Sequence, residues 1–391
     1  LGLIGTDEPK FVLAFDSEKG KDGKEEIVCD HVVPIYPGNA EGYGEDIVEE
    51  HYQDFHAEIL WQIADAWALE RIPELARQDR MRWVIQPPVY FLDPLPEHFI
   101  ERLKPALKVV PWVEDARDKL VKAGLTNVTE PIPLGLNTDL WRPKDRTKYP
   151  KMMKDLGFSH DSFNISIVAA NQQGRKAWTQ TLTAIQLFRE TYADLKIRLY
   201  IHTVPNMVGG WEIDKLLTHL KLADITKTAK TYEMVVGRYS EYQIMMVHAL
   251  ADVVVNAGLE GFGYSTIQAQ AVGTPVIGLS AGATKNLVSA GILVPPYSET
   301  LSPDLFRRAE PHTTHIAEAL RKISDIPRRE FQKGPKFVQD RFSWPIVIEK
   351  WKKLFEEVDA ELESKCIKSG RYPPKPSPNS LQMSKEMIIV E

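Results

Sequence analysis

The sequence predicts an α/β fold built on parallel sheet, and three observations predict it. Short apolar runs alternate with helix-length segments through the second half of the chain. The first half shows a looser version of the same alternation. The length, 391 residues, suits two domains, each large enough to bury a core of its own.

In the second half, residues 165–170 read as a buried strand and 179–191 as a helix, with Leu182, Ile185, Leu187 and Phe188 on its apolar face. Residues 197–202 read as a strand, 211–222 as a helix and 232–236 as a strand. Helix 241–250, strand 252–256, helix 266–272 and strand 275–278 follow. Residues 284–290 and 292–294 give one more helix and strand. Such alternation builds a parallel sheet with helices on both faces. Ligands of these sheets bind beyond the carboxyl ends of the strands.

In the first half, residues 11–15, 58–63, 82–86 and 108–111 are candidate strands. Residues 47–56, 67–77, 97–107 and 113–123 are candidate helices. The segments Pro131-Ile132-Pro133-Leu134-Gly135 and Arg142-Pro143 punctuate the end of this half, and a linker is expected near 135–162. Residues 342–363 read as a long terminal helix, and 371–380, rich in Pro and Ser, as an extended tail. The expected division is a first domain at 1–140, a second at 141–340, a terminal helix at 341–366 and a tail at 367–391.

The hydrophobic fraction of 43% and charged fraction of 26% are those of a soluble globular protein. A net charge of −6 gives no case for nucleic acid as a partner. The two cysteines, Cys29 and Cys366, form no Cys-x-x-Cys, and so sparse a use of cysteine fits the cytoplasm. No apolar run approaches the roughly 18 residues of a membrane-spanning helix, and no signal peptide is visible. The chain begins at Leu1 rather than Met, which leaves the completeness of its N-terminus open. Basic stretches such as 119–122 are too short to decide on peripheral membrane contact.

The most informative segment is 252–278, a strand, a glycine-containing turn, a helix and a strand. The turn is Gly258-Leu259-Glu260-Gly261-Phe262-Gly263-Tyr264. Gly261 and Gly263 let the backbone approach a ligand closely. The helix opening near Ser265 offers unpaired N–H groups and positive dipole character to a diphosphate. An acid just before such a turn can bond sugar hydroxyls. Taken alone, a Gly-x-Gly beside an acid reads first as a turn with a capping residue.

The wider pattern is more specific. Glu260-Gly261-Phe262-Gly263, then Ile267, Ala269, Ala271, Gly273 and Pro275-Val276-Ile277, resembles the donor motif of retaining GT-B glycosyltransferases of family 4. Arg175-Lys176 follows the first strand of the second half, where that family places basic residues on the donor diphosphate. Gly237-Arg238-Tyr239-Ser240, Ile132–Asn137 and Trp141-Arg142-Pro143 extend the likeness over residues 80–300. The resemblance implies two Rossmann-like domains facing a cleft, with the terminal helix crossing back to the first. It also implies transfer of a sugar from a nucleoside-diphosphate donor with retention, without cofactor or metal, to a carbohydrate, lipid-linked or protein acceptor. Glu260, Arg175, Lys176 and Asp93 are the catalytic candidates. Asn171, Gly261, Phe262, Gly263, Tyr264, Ser265, Thr266 and Gln268 are the donor-binding candidates, and Asp65 and Tyr90 the acceptor-side ones.

Three positions depart from the family pattern. Gln268 stands where a second acid holds the ribose; an amide offers one acceptor oxygen where a carboxylate offers two. Leu134 replaces a frequent His, and Asn286 stands where an acid is common. These departures keep two alternatives in view: a non-catalytic sugar-nucleotide-binding protein of the same fold, and a GT-B epimerase. For individual residues the structural reading competes with the functional one. Arg175-Lys176 reads also as a solvated basic turn, Asp93 as a turn former before Pro94, and Asp65 as a helix cap. No Asp-x-Asp occurs, which argues against a metal-dependent GT-A enzyme. His312-Thr313-Thr314-His315 has helical spacing but no neighbouring acid, and reads as surface or capping histidines.

Overall fold

Apolar strands alternating with helices set the architecture. The computed structural model describes residues 3–6, 10–19, 25–37 and 44–369; the tail segment 371–380 lies outside them. The chain divides into two units, one comprising Leu1–Pro87, Glu97–Val109 and Glu357–Glu391, the other Pro88–Pro96 and Val110–Glu356.

The first unit has two small sheets. In one, β1 (Leu3–Thr6) lies parallel to β3 (Glu25–Pro37), which pairs antiparallel with β2 (Lys10–Lys19). The expected strand 11–15 falls within the first part of β2. The other sheet is parallel, in the order β4 (Leu60–Ile63), β5 (Trp83–Gln86), β6 (Lys108–Val109). β5 is buried along its whole length, as a central strand requires, and the Trp83 indole donates to Gln62 at 3.0 Å. The single helix expected at 67–77 is instead a 3-10 turn, Ala66–Ala68, and a helix, Arg71–Arg77. The break has a physical cause. Pro73 has no N–H and is tolerated only in a first turn, so the helix starts at Arg71 and Leu69 is extended. The terminal helix, Trp344–Ser369, reaches this unit with its later turns, where Glu361 pairs with Lys108 at 2.9 Å.

The second unit is a doubly wound sheet of six parallel strands. They are β7 (Phe163–Val168), β8 (Ile197–His202), β9 (Thr226–Thr228), β10 (Val253–Asn256), β11 (Val276–Leu279) and β12 (Gly291–Val294). Their spatial order is β12-β11-β10-β7-β8-β9. The chain therefore winds outward from β7 to β9, returns beside β7 and winds outward the other way. The switch in direction falls between β7 and β10, which is where sheets of this kind bind ligands. β10 and β11 are wholly buried, and Val254, Ala269 and Val276 pack in one cluster that fixes the helix Tyr264–Ala271 on the sheet.

Two features of this second unit differ from expectation. Residues 232–236 are not a strand; the helix Thr231–Val235 stands there, and the edge strand is Thr226–Thr228. The run is apolar in composition, yet Tyr232 is 66% and Val235 72% exposed. Beyond β12, an antiparallel hairpin of β13 (Pro296–Leu301) and β14 (Arg307–Pro311) precedes the helix Thr313–Asp325. It had no counterpart in the alternation pattern.

Candidate functional site

The two loops at the switch point carry the basic pair and the acid. The loop after β7 is closed at its base by the Trp178 indole, which donates to the Ala170 carbonyl at 3.0 Å. It turns through Gly174 (φ 80°) and Ala177 (φ 49°) into the helix Trp178–Thr191. The loop after β10 runs alongside: the Leu259 N–H donates to the Arg175 carbonyl at 2.7 Å. Gly258 makes this approach feasible, because a Cβ there would stand 2.6 Å from the Arg175 oxygen and 2.7 Å from the Lys176 Cα.

This juxtaposition brings Glu260, Arg175 and Lys176 together. Lys176 Nζ lies 2.5 Å from Glu260 Oε1, and Arg175 Nη1 3.3 Å from Glu260 Oε2. Arg175 also donates to the Leu259 carbonyl at 3.2 Å, and its guanidinium sits 4.9 Å from the centre of the Tyr90 ring. Burial pushes the Lys176 ammonium below the ordinary lysine range; Glu260 opposes that shift and Arg175 adds to it.

The donor-turn residues divide by role. Gly261 packs against Pro88 and Trp112, where a Cβ would come within 2.8 Å and 3.1 Å. Phe262 is a core residue, edge-on to Trp112, Tyr264 and Phe342. Gly263 is left-handed (φ 91°) and precedes the helix Tyr264–Ala271, whose first N–H groups lack intrahelical acceptors. Ser265 Oγ, in that first turn, is buried without a partner among the described residues. Thr266 is buried and accepts from Asn256 at 2.9 Å, and the Tyr264 hydroxyl donates to the Gly135 carbonyl at 3.0 Å.

Gln268 faces His248, whose pKa burial lowers to about 3, with His202 pushing the same way and Gln268 against it. His202, last residue of β8, is likewise held down to about 4 by burial and meets Tyr200 at 3.4 Å.

The remaining candidates make contacts of their own. The Asn171 amide is fully engaged in holding the loop after β8. It donates to the carbonyls of Val204, Pro205 and Trp211 and accepts from the Trp211 N–H at 2.8 Å. The Asp93 carboxylate pairs with Lys122 at 2.9 Å. Asp65 belongs to the first unit, preceding the 3-10 turn, and its side chain does not cap that turn. Tyr90, expected on the acceptor side, lies under the Arg175 guanidinium. His312 caps its helix, accepting from the Thr314 N–H at 3.3 Å. Among the described residues, no group of three His, Cys, Asp or Glu side chains is placed to hold a metal ion, and no helix is long and apolar enough to cross a membrane.

No protein-family model matches the sequence, and no curated protein matches it either. Solved structures do match. A glycosyltransferase from Rickettsia africae superposes with a TM-score of 0.63 at 15% identity, over 83% of this chain and 85% of that one. HepE from Anabaena, in complex with UDP-glucose, gives 0.61 at 15% identity over 85% and 86%. A UDP-forming α,α-trehalose-phosphate synthase from Burkholderia xenovorans gives 0.61 at 12% identity over 91% and 92%.

The fold is GT-B.

Within this GT-B chain, sequence reasoning missed one residue beside the site. Arg308, on β14, lies with Nη1 only 3.1 Å from where a Cβ of Gly174 would stand. The dipeptide Arg307-Arg308 carries no spacing that would have marked it; only the hairpin brings it to the loop of Arg175.

Proposed function

We propose that the protein is a glycosyltransferase that moves a sugar from a nucleoside-diphosphate donor to an acceptor hydroxyl, retaining the anomeric configuration and needing no metal. The observation that carries this reading is the Glu260–Arg175–Lys176 cluster at the switch point of the GT-B sheet, beside a glycine turn and a helix N-terminus. The donor diphosphate lies against Arg175, Lys176 and the first-turn amides. These groups stabilise the charge that develops as the bond from the anomeric carbon to the phosphate oxygen breaks. Arg175 supplies a planar fork and Lys176 a point charge. Glu260, released from part of its pairing, accepts from sugar hydroxyls and orients the ring. The acceptor oxygen attacks on the face that the diphosphate leaves, and its proton passes to the departing phosphate oxygen. Because HepE is described with UDP-glucose, UDP-sugars are the first donors to try.

A thermal-shift screen against UDP-, GDP- and ADP-sugars identifies the donor class without knowledge of the acceptor. Arg175→Ala with Lys176→Ala is expected to abolish transfer while the unfolding transition persists; unchanged turnover in that variant removes the phosphate assignment. EDTA is expected to leave activity intact, and a strict need for added Mn²⁺ counts against the metal-free mechanism. Gln268 beside a buried neutral His248 favours a second reading, a sugar-nucleotide-binding protein without turnover. Calorimetric binding with neither transfer nor hydrolysis selects that reading.

A further inference from the structure

The cations around the candidate donor loop are not equally committed. Arg175 and Lys176 share one carboxylate, Glu260. On the hairpin, Arg307 is held by Glu299 and by the Asp93 carbonyl, and Glu310 accepts from Gln180 at 2.9 Å. Arg308 lies between these two residues. Its guanidinium has no hydrogen-bond or ion-pair partner among the described residues, and its Nε is buried and unsatisfied. A buried unpaired donor on a charged group is costly, so it marks a place where a ligand completes the structure.

The placement of Arg308 is built rather than accidental. Arg308 and Glu310 alternate along β14 and so share one face, and Phe306 stands immediately before the strand. Phe306 stacks on Phe91 at 3.7 Å and Glu310 is bonded to the first turn of the helix Trp178–Thr191, which fixes the strand on both sides of Arg308. The guanidinium is thereby set over Gly174, the residue before Arg175, whose positive φ and missing side chain leave room for it.

We propose that Arg308 is a third cationic ligand for the donor diphosphate, an inference that rests on the donor-site reading above. Arg175, Lys176 and Arg308 set against Glu260 leave two net positive charges, which match the two negative charges of a nucleotide-sugar diphosphate. Without Arg308 the loop carries one. The fork of Arg308 also suits bidentate contact with phosphate oxygens.

Calorimetric titration of the full chain with UDP, inorganic pyrophosphate and uridine tests this, comparing wild type, Arg308→Ala, Arg308→Lys and Arg175→Ala/Lys176→Ala. Arg308→Ala is expected to weaken UDP and pyrophosphate by roughly 10- to 100-fold and to leave uridine unchanged. Arg308→Lys is expected to recover part of the loss. Wild-type affinity for UDP and pyrophosphate in Arg308→Ala, with binding lost in the Arg175/Lys176 variant, overturns the role of Arg308 and leaves the donor site standing. Undiminished binding in the Arg175/Lys176 variant overturns both. If Arg308→Ala does not fold, Arg308→Gln keeps the volume and the same comparison applies.

Discussion

Lys176 and Glu260 meet at 2.5 Å with side chains only 9% and 10% exposed, and they join two loops 84 residues apart in sequence. A buried pair of this kind costs desolvation on both sides, and each charge is tolerable only because the other is present. Arg175 makes the pair a triad. The arrangement is poor for stability alone and well suited to a site that must hold cations ready for an anionic ligand.

Glu260→Gln keeps the shape and removes the charge, leaving Lys176 buried without its counter-ion. Stability is expected to fall by about 3 kcal/mol in a denaturant titration, with transfer lost. Replacing both partners, Lys176→Met with Glu260→Leu, is expected to recover most of the stability and none of the activity. A single Glu260→Gln variant as stable as the wild type would show that the pair is not energetically coupled.

Gly258→Ala places a methyl group 2.6 Å from the Arg175 carbonyl, a backbone atom that cannot swing aside. The two loops must part, and overpacking of this kind costs roughly 1–3 kcal/mol. Nucleotide affinity is expected to fall more than stability does, since the shift separates Arg175 and Lys176 from Glu260. Calorimetry beside thermal unfolding measures the two effects; equal affinity in the variant refutes the coupling of the loops.

Arg328 is a structural cation. It donates to the carbonyls of Ala251, Val272 and Gly273 and to Thr274 Oγ1, and burial lowers its pKa to about 10. These bonds secure the segments that lead into β10 and β11. Arg328→Ala leaves several buried acceptors unpaired and is expected to destabilise by roughly 3–5 kcal/mol. Arg328→Lys, which lacks the fork, is expected to restore less than half of this. A loss under 1 kcal/mol in chemical denaturation would contradict the assignment.

His202 and His248 are held neutral by burial, with pKa values of about 4 and about 3. The unfolded chain takes up protons at these positions below about pH 6.5, whereas the native state does not. Stability is therefore full above that pH and declines as pH falls from 6.5 towards 4, by about 1.4 kcal/mol per pH unit for each histidine. His248→Gln is expected to flatten the decline. Unfolding curves at pH 7 and pH 5 decide the matter, and an identical slope in the variant would mean that His248 is not the group responsible.

The legibility of this chain depended on where its side chains are buried. Strand 197–202 and the segment 252–278 were readable because the strands there are buried at all positions but Arg198 and bounded by glycine or a polar turn. Residues 232–236 were not, because an exposed apolar run on a short helix has the composition of a buried strand. The motif marked Glu260, Arg175 and Lys176 as candidates, and the structure brings these three side chains together. Asn171 stood equally close in sequence, but its amide is spent on the loop 204–211, a contact 33–40 residues away that no local pattern records.

By itself the sequence determined the α/β class, the strand and helix spacing of the second unit, and the acid–glycine turn at a helix start. Those properties depend on periodicity and on backbone freedom, both of which are local. The tertiary structure alone decided that β10 lies beside β7, that Gly258 lets the two loops touch, and that a hairpin sets Arg308 over Gly174. Strand order and close approach depend on contacts between residues far apart in the chain, and these exist only once the sheet has closed its own order.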